Sequence, residues 1–187
     1  GVALAAHFGG LEWNSGRIVE VAARLEGHPD NVAACWYGGL TVAGGFPERL
    51  SSVSLAPPTD WKAIVVLPEN PIATEESRSV LPERYSRADT VKNLQNVALL
   101  TAAFALGRPD LLPLATQDAL HQPYRMKLCP LLSALLPLAG RRGILSVTLS
   151  GAGPSVLVLR TGNEDSGHVE DLLREYAAPV SPVELIQ

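Results

Sequence analysis

The chain has 187 residues, 47% of them hydrophobic and 18% charged. That balance excludes a disordered polyelectrolyte and supplies one good hydrophobic core, or one core and part of another. Fifteen basic residues against nineteen acidic ones leave a net charge of −4, which argues against a general nucleic-acid binder but leaves room for a local anion site. Cys35 and Cys129 lie far apart and form neither a disulfide framework nor a zinc pattern. The longest mostly apolar run, Val97 to Leu106, is about half of the ~20 residues a membrane span requires. No basic-then-apolar leader opens these residues, so the expectation is a cytoplasmic protein with no membrane or nucleic-acid partner. The first residue is Gly1 and the one methionine is Met126, which suggests a piece of a longer or processed protein.

Taken in chain order, Gly1 to Phe8 reads as the end of a helix. Ile18, Val21, Ala22 and Leu25 fall at i, i+3, i+4 and i+7 and predict one face of a second helix, capped by Asn14 or Ser15 and ended at Gly27. Pro29 suits the first turn of a short helix running to Trp36. Leu40 to Ala43 and Val53 to Ala56 are short strand candidates, and Pro57-Pro58 marks a domain boundary, giving domains 1–58 and 59–187. Lys62 to Leu67 has the pattern of a buried strand. Helices are then expected from Thr74, over Asp89 to Leu106, Asp110 to Leu120 and Pro130 to Ala139, with a polar turn at His121-Gln122-Pro123. Strands Gly143 to Leu149 and Val156 to Arg160 follow, then an amphipathic helix from Asp165 to Tyr176 and an edge strand from Pro182 to Ile186. This order predicts an α+β fold with an antiparallel pair and helices grouped on one face.

Four segments could carry chemistry. Glu26-Gly27-His28-Pro29-Asp30-Asn31 sets polar groups at a helix start, where they could hold a hydroxyl, an amine or a metal; a plain capped helix has the same pattern. Thr74-Glu75-Glu76-Ser77-Arg78 puts a hydroxyl and a guanidinium one helical turn apart, suited to a carboxylate, though a cap and a solvated arginine look alike. His121-Gln122-Pro123-Tyr124-Arg125 offers a second arginine, or an ordinary exposed turn. Gly151-Ala152-Gly153-Pro154-Ser155 joins two apolar strands and allows close backbone approach, as many hairpins do. It is neither a dinucleotide fingerprint nor a Walker loop. The four histidines have no metal-site spacing, so no metal ligand is assigned.

In this order, the segments resemble the homoserine kinases of the GHMP kinase superfamily. The resemblance rests on Glu26 to Ala33 with Gly38-Gly39-Leu40, on Thr74 to Arg78 with Leu81-Pro82, on Asp118 to Arg125, and on Leu149 to Ser155. It covers residues 20 to 160 and implies the remnant of a GHMP kinase N-terminal domain followed by a ferredoxin-like C-terminal domain. The implied activity is transfer of the γ-phosphoryl group of ATP, with Mg²⁺, to the side-chain hydroxyl of L-homoserine on the route to threonine. The resemblance further implies that Arg78 and Arg125 hold the substrate carboxylate. His28, Asn31 and Thr74 line the pocket around the hydroxyl, Asp30 lies beside them, and Gly151 brings backbone close to the ligand. Asn31 and Thr74 are its candidates for ordering the reacting hydroxyl, with no assured general base. The superfamily's nucleotide loop is expected upstream of Gly1. Gln122 stands where the family often has glutamate. Two alternatives remain: another small-molecule kinase of the superfamily, or a truncated remnant that binds a ligand without catalysis. A homodimer is left open.

Overall fold

The computed structural model describes residues 1–70, 74–163 and 166–187, with the side chains of Thr74 and Glu75 outside the description. The chain divides into two compact units, Gly1–Pro57 and Pro58–Gln187.

The first unit contains α1 (Val2–Phe8), α2 (Ser15–Glu26), α3 (Asp30–Tyr37), β1 (Leu40–Gly44) and β2 (Ser51–Leu55). Asn14 caps α2 by accepting a 2.9 Å hydrogen bond from the Arg17 N–H, and Gly27, at φ +86°, ends it in the left-handed conformation that glycine tolerates. Strands β1 and β2 pair antiparallel, with Leu40 opposite Leu55 and Gly44 opposite Ser51. The buried positions on α2 are Val19 and Ala23, one residue away from the expected stripe. Ile18, Ala22 and Leu25 instead line an open apolar groove of about 500 Å³ with Val32 and Trp36, and Leu25 is 77% exposed.

The second unit is a β-α-β-β-α-β arrangement. It runs through β3 (Trp61–Pro68), α4 (Thr74–Ser79), α5 (Arg87–Leu106), α6 (Leu112–Ala115), α7 (Gln122–Arg125) and α8 (Pro130–Leu135). It closes with β4 (Ile144–Leu149), β5 (Val156–Thr161), α9 (Ser166–Ala177) and β6 (Val183–Ile186). Its sheet is antiparallel throughout in the order β4-β5-β3-β6, which leaves β6 at an edge. This is the ferredoxin-like connection of two split β-α-β units. Side chains alternate across the strands, so Ile64, Val66, Val156 and Val158 share one face. That face packs against Leu131, Leu132 and Leu135 of α8 and Val169, Leu172 and Leu173 of α9 to form the main core.

Two expectations change here. Trp61 and Leu159 lie on the alternate positions of the same strands, and with Leu145 they pack against Ala103 and Phe104 of α5 and Leu112 of α6. The helices therefore cover both faces and are not grouped on one. The helix expected from Asp110 to Leu120 is broken into a single 3-10 turn at Pro109–Leu111 and the four residues of α6. Side-chain amides of α5 replace its later backbone bonds: Asn96 Nδ2 donates to the Gln117 carbonyl at 2.8 Å, and Asn93 Oδ1 accepts from the Ala119 N–H at 2.9 Å. Further small differences are that α5 begins at Arg87 behind a Ser86 cap, and that Gln122-Pro123 opens α7 where a turn was expected. The expected helix residue Asp165 lies outside the described residues. No described helix is long and apolar enough to cross a membrane.

Candidate active site

The candidate residues fall in both units. In the first, the Gly27 turn directs the chain from α2 into α3, and His28, Asp30 and Asn31 stand at that junction. Asp30 Oδ1 lies 2.5 Å from His28 Nδ1 and accepts from the Asn31 N–H at 2.8 Å. One carboxylate oxygen thus stands against the imidazole and accepts from the first turn of α3, while His28 Nε2 faces Glu26 at 3.9 Å. Asp30 and Asn31 are exposed and His28 is half-buried.

In the second unit, three segments that are distant in sequence meet at one guanidinium. Asp118 Oδ2 accepts from the N–H groups of His121 and Gln122 at 2.7 and 2.6 Å. A carboxylate in that position satisfies orphan donors at the start of α7 and complements the positive end of the helix. Arg125, three residues on, donates from Nε to the Ser77 carbonyl at 3.1 Å, and from Nη1 to His121 Nδ1 at 3.2 Å and to the Gly151 carbonyl at 3.4 Å. The Ser77 hydroxyl closes the circuit by donating to the Ala152 carbonyl at 2.6 Å. Arg125 therefore ties α4, α7 and the β4–β5 turn together. Of its five N–H donors, the two on Nη2 make no hydrogen bond among the described residues. These two donors and the positive charge are what Arg125 can offer an anion.

The remaining candidates are placed less centrally. Arg78 is exposed, next to Ser77 on α4, and its carbonyl accepts from the Leu81 N–H at 3.2 Å. Thr74 opens α4, and its side chain lies outside the described residues. Gly151, at φ +60°, has open space where a Cβ would stand.

Ser77, Asp118, His121 and Gln122 join the site, although the sequence assigns none of them a role. Only their membership of the quoted motifs pointed to them. Gln122 is buried, and its Oε1 accepts from the Leu149 N–H at 2.9 Å, while Nε2 reaches the Thr116 carbonyl at 3.5 Å. A glutamate would keep the first acceptor, which explains how the departure at this position leaves the local fold intact. Gln122→Leu strands the buried Leu149 N–H and is expected to lower stability by about 1–3 kcal/mol; urea unfolding checks this. Burial pushes the His121 imidazole below the ordinary histidine pKa, with Asp118 opposing and Arg125 adding to the shift. Burial raises the Cys129 thiol, and Arg125 partly offsets it.

Residues 100–180 match the family model described as GHMP kinases C terminal. The chain is 44% identical over 162 residues to the homoserine kinase of Solibacter usitatus, covering 84% of this chain and 52% of that protein. It is 48% identical over 140 residues to the homoserine kinase of Deinococcus radiodurans, covering 75% and 46%. In three dimensions it resembles the crystal structure of homoserine kinase from Cytophaga hutchinsonii, with a TM-score of 0.85 and 24% identity over 99% of this chain and 61% of that one. Streptococcus pneumoniae phosphomevalonate kinase, solved with phosphomevalonate and AMPPNP, shares the fold at a TM-score of 0.68 and 14% identity, over 99% and 64%. The chain carries the C-terminal domain of the GHMP kinase superfamily. Within that superfamily it is homologous to homoserine kinases, and it spans about half the length of the curated relatives it matches.

Proposed function

We propose that the whole protein phosphorylates the side-chain hydroxyl of L-homoserine with ATP, giving O-phospho-L-homoserine for threonine biosynthesis in the cytoplasm. In this reading residues 1–58 are the closing part of the N-terminal domain and 59–187 the C-terminal domain. The observation that carries it is the convergence of the three motifs of the second unit on Arg125, in a chain 44% identical to a homoserine kinase. Homoserine offers a hydroxyl to phosphorylate, a carboxylate and an amine. The Nη2 donors of Arg125, with the charge of Arg78, suit the carboxylate. Asn31, Thr74 and His28 suit the hydroxyl end, with Asp30 beside them, and Gly151 admits the ligand against backbone.

In the reaction the homoserine oxygen bonds to the γ-phosphorus, the bond to ADP breaks, and the hydroxyl proton is released. Phosphoryl transfer asks the protein mainly for positioning and charge stabilisation, which these residues supply without a strong base. The described residues hold no group of three or more His, Cys, Asp or Glu side chains able to bind a metal ion. No step is assigned to a metal ion held by these residues alone, since kinase Mg²⁺ is bound mainly through the nucleotide phosphates with one or two carboxylates.

A substrate panel tests the reading. ADP release should be fastest with L-homoserine and near background with mevalonate, phosphomevalonate or galactose. Preference for one of these alcohols would instead make the protein another small-molecule kinase of the superfamily. Absence of turnover on all of them would favour a ligand-binding remnant.

A further inference from the structure

His121 stands between opposite charges. Its Nδ1 is 3.2 Å from Arg125 Nη1, and its Nε2 is 3.8 Å from Asp118 Oδ1. Arginine is always a donor, so this contact is a hydrogen bond only when Nδ1 carries a lone pair. The imidazole must then be neutral, with its proton on Nε2 and directed to the Asp118 side. We infer that neutral His121 is a positioning residue for substrate binding: its Nδ1 lone pair holds Arg125 in the orientation that presents Nη2 to a carboxylate. This deepens the homoserine kinase reading and rests on it for the identity of the carboxylate.

Protonating His121 would place an N–H where the lone pair was and a second positive charge beside the guanidinium. The charged groups acting on it are Asp118 on its own turn and Arg125 on α7. The other segments that reach Arg125 present only backbone carbonyls, those of Ser77 and Gly151. A half-buried imidazole with a cationic neighbour favours the neutral form. The arrangement therefore holds above the ordinary histidine range and is lost as pH falls below it.

The experiment uses the whole enzyme at saturating ATP and follows KM for L-homoserine from pH 5 to pH 8. Wild type should show KM rising toward the acid end, by no more than the factor that loss of the acceptor gives. His121→Leu, which removes the acceptor, should raise KM about tenfold at every pH with little change in kcat. That size corresponds to the loss of one hydrogen bond to a charged group, about 1.5 kcal/mol. His121→Asn, whose Oδ1 can replace Nδ1 but does not titrate, should recover most of that loss and flatten the pH dependence. An unchanged KM in His121→Leu, or a wild-type pH dependence in His121→Asn, overturns the inference. NMR titration of the His121 ring supplies a readout that needs no turnover. Its pKa should lie below the ordinary histidine value and rise in Arg125→Gln. A His121 that does not respond to loss of the Arg125 charge overturns the inference even if homoserine is phosphorylated. A response without homoserine turnover keeps the His121–Arg125 coupling and removes only the substrate.

Discussion

Arg125→Ala should raise KM for L-homoserine by about 100-fold, while kcat falls far less. Loss of hydrogen bonding to a charged group costs about 1.5–3 kcal/mol, and about 2.7 kcal/mol corresponds to that factor. The truncation removes the anion-binding charge and also unties Ser77, His121 and Gly151, whose acceptors the guanidinium satisfies. Arg125→Lys should recover little. An ammonium keeps the charge but cannot reproduce the planar fork that reaches three acceptors at fixed angles. Initial rates over a range of homoserine concentrations check both variants, and an unchanged KM in Arg125→Ala would remove Arg125 from the site.

The second large effect is on stability. Gly153 has φ +83°, and a Cβ at this position would lie 2.9 Å from Cys129 Sγ and 3.1 Å from Leu149 Cδ2. Both neighbours belong to the main core and are buried, so neither can swing into solvent. Gly153→Ala should cost about 1–2 kcal/mol for the left-handed backbone and about 1–3 kcal/mol for overpacking. The expected loss is thus about 2–5 kcal/mol in urea or thermal unfolding. Cys129→Ala combined with Gly153→Ala should recover part of it by removing the nearest obstacle. A Gly153→Ala protein as stable as wild type would show that the turn shifts without strain.

The strands of the second unit were legible because each is a short apolar run bounded by Gly or Pro, and β3, β4, β5 and β6 lie where those runs stand. Their order follows from antiparallel pairing, once helices separate β3 from β4 and β5 from β6. The fate of residues 110 to 120 was not legible. Its sequence is compatible with a helix, and what breaks it is a pair of amides, Asn93 and Asn96, more than twenty residues upstream. The face of α2 misled for a related reason: an apolar period marks a surface to be covered, and in the first unit that surface lines an open groove. The candidate site divides in the same way. Local motifs exposed Arg125 and the glycine turn, because a cation and paired glycines are visible in sequence. The bonds that join Arg125 to Ser77 and Gly151 span 48 and 26 residues, and His121 acquires its part only through the position of Arg125.

Phosphoryl transfer itself can be followed by ³¹P NMR of the whole protein with Mg-ATP and L-homoserine. A new phosphate-ester signal should grow with ADP and depend on homoserine. ATP that stays intact, or hydrolyses to inorganic phosphate with no ester formed, would contradict the proposed reaction.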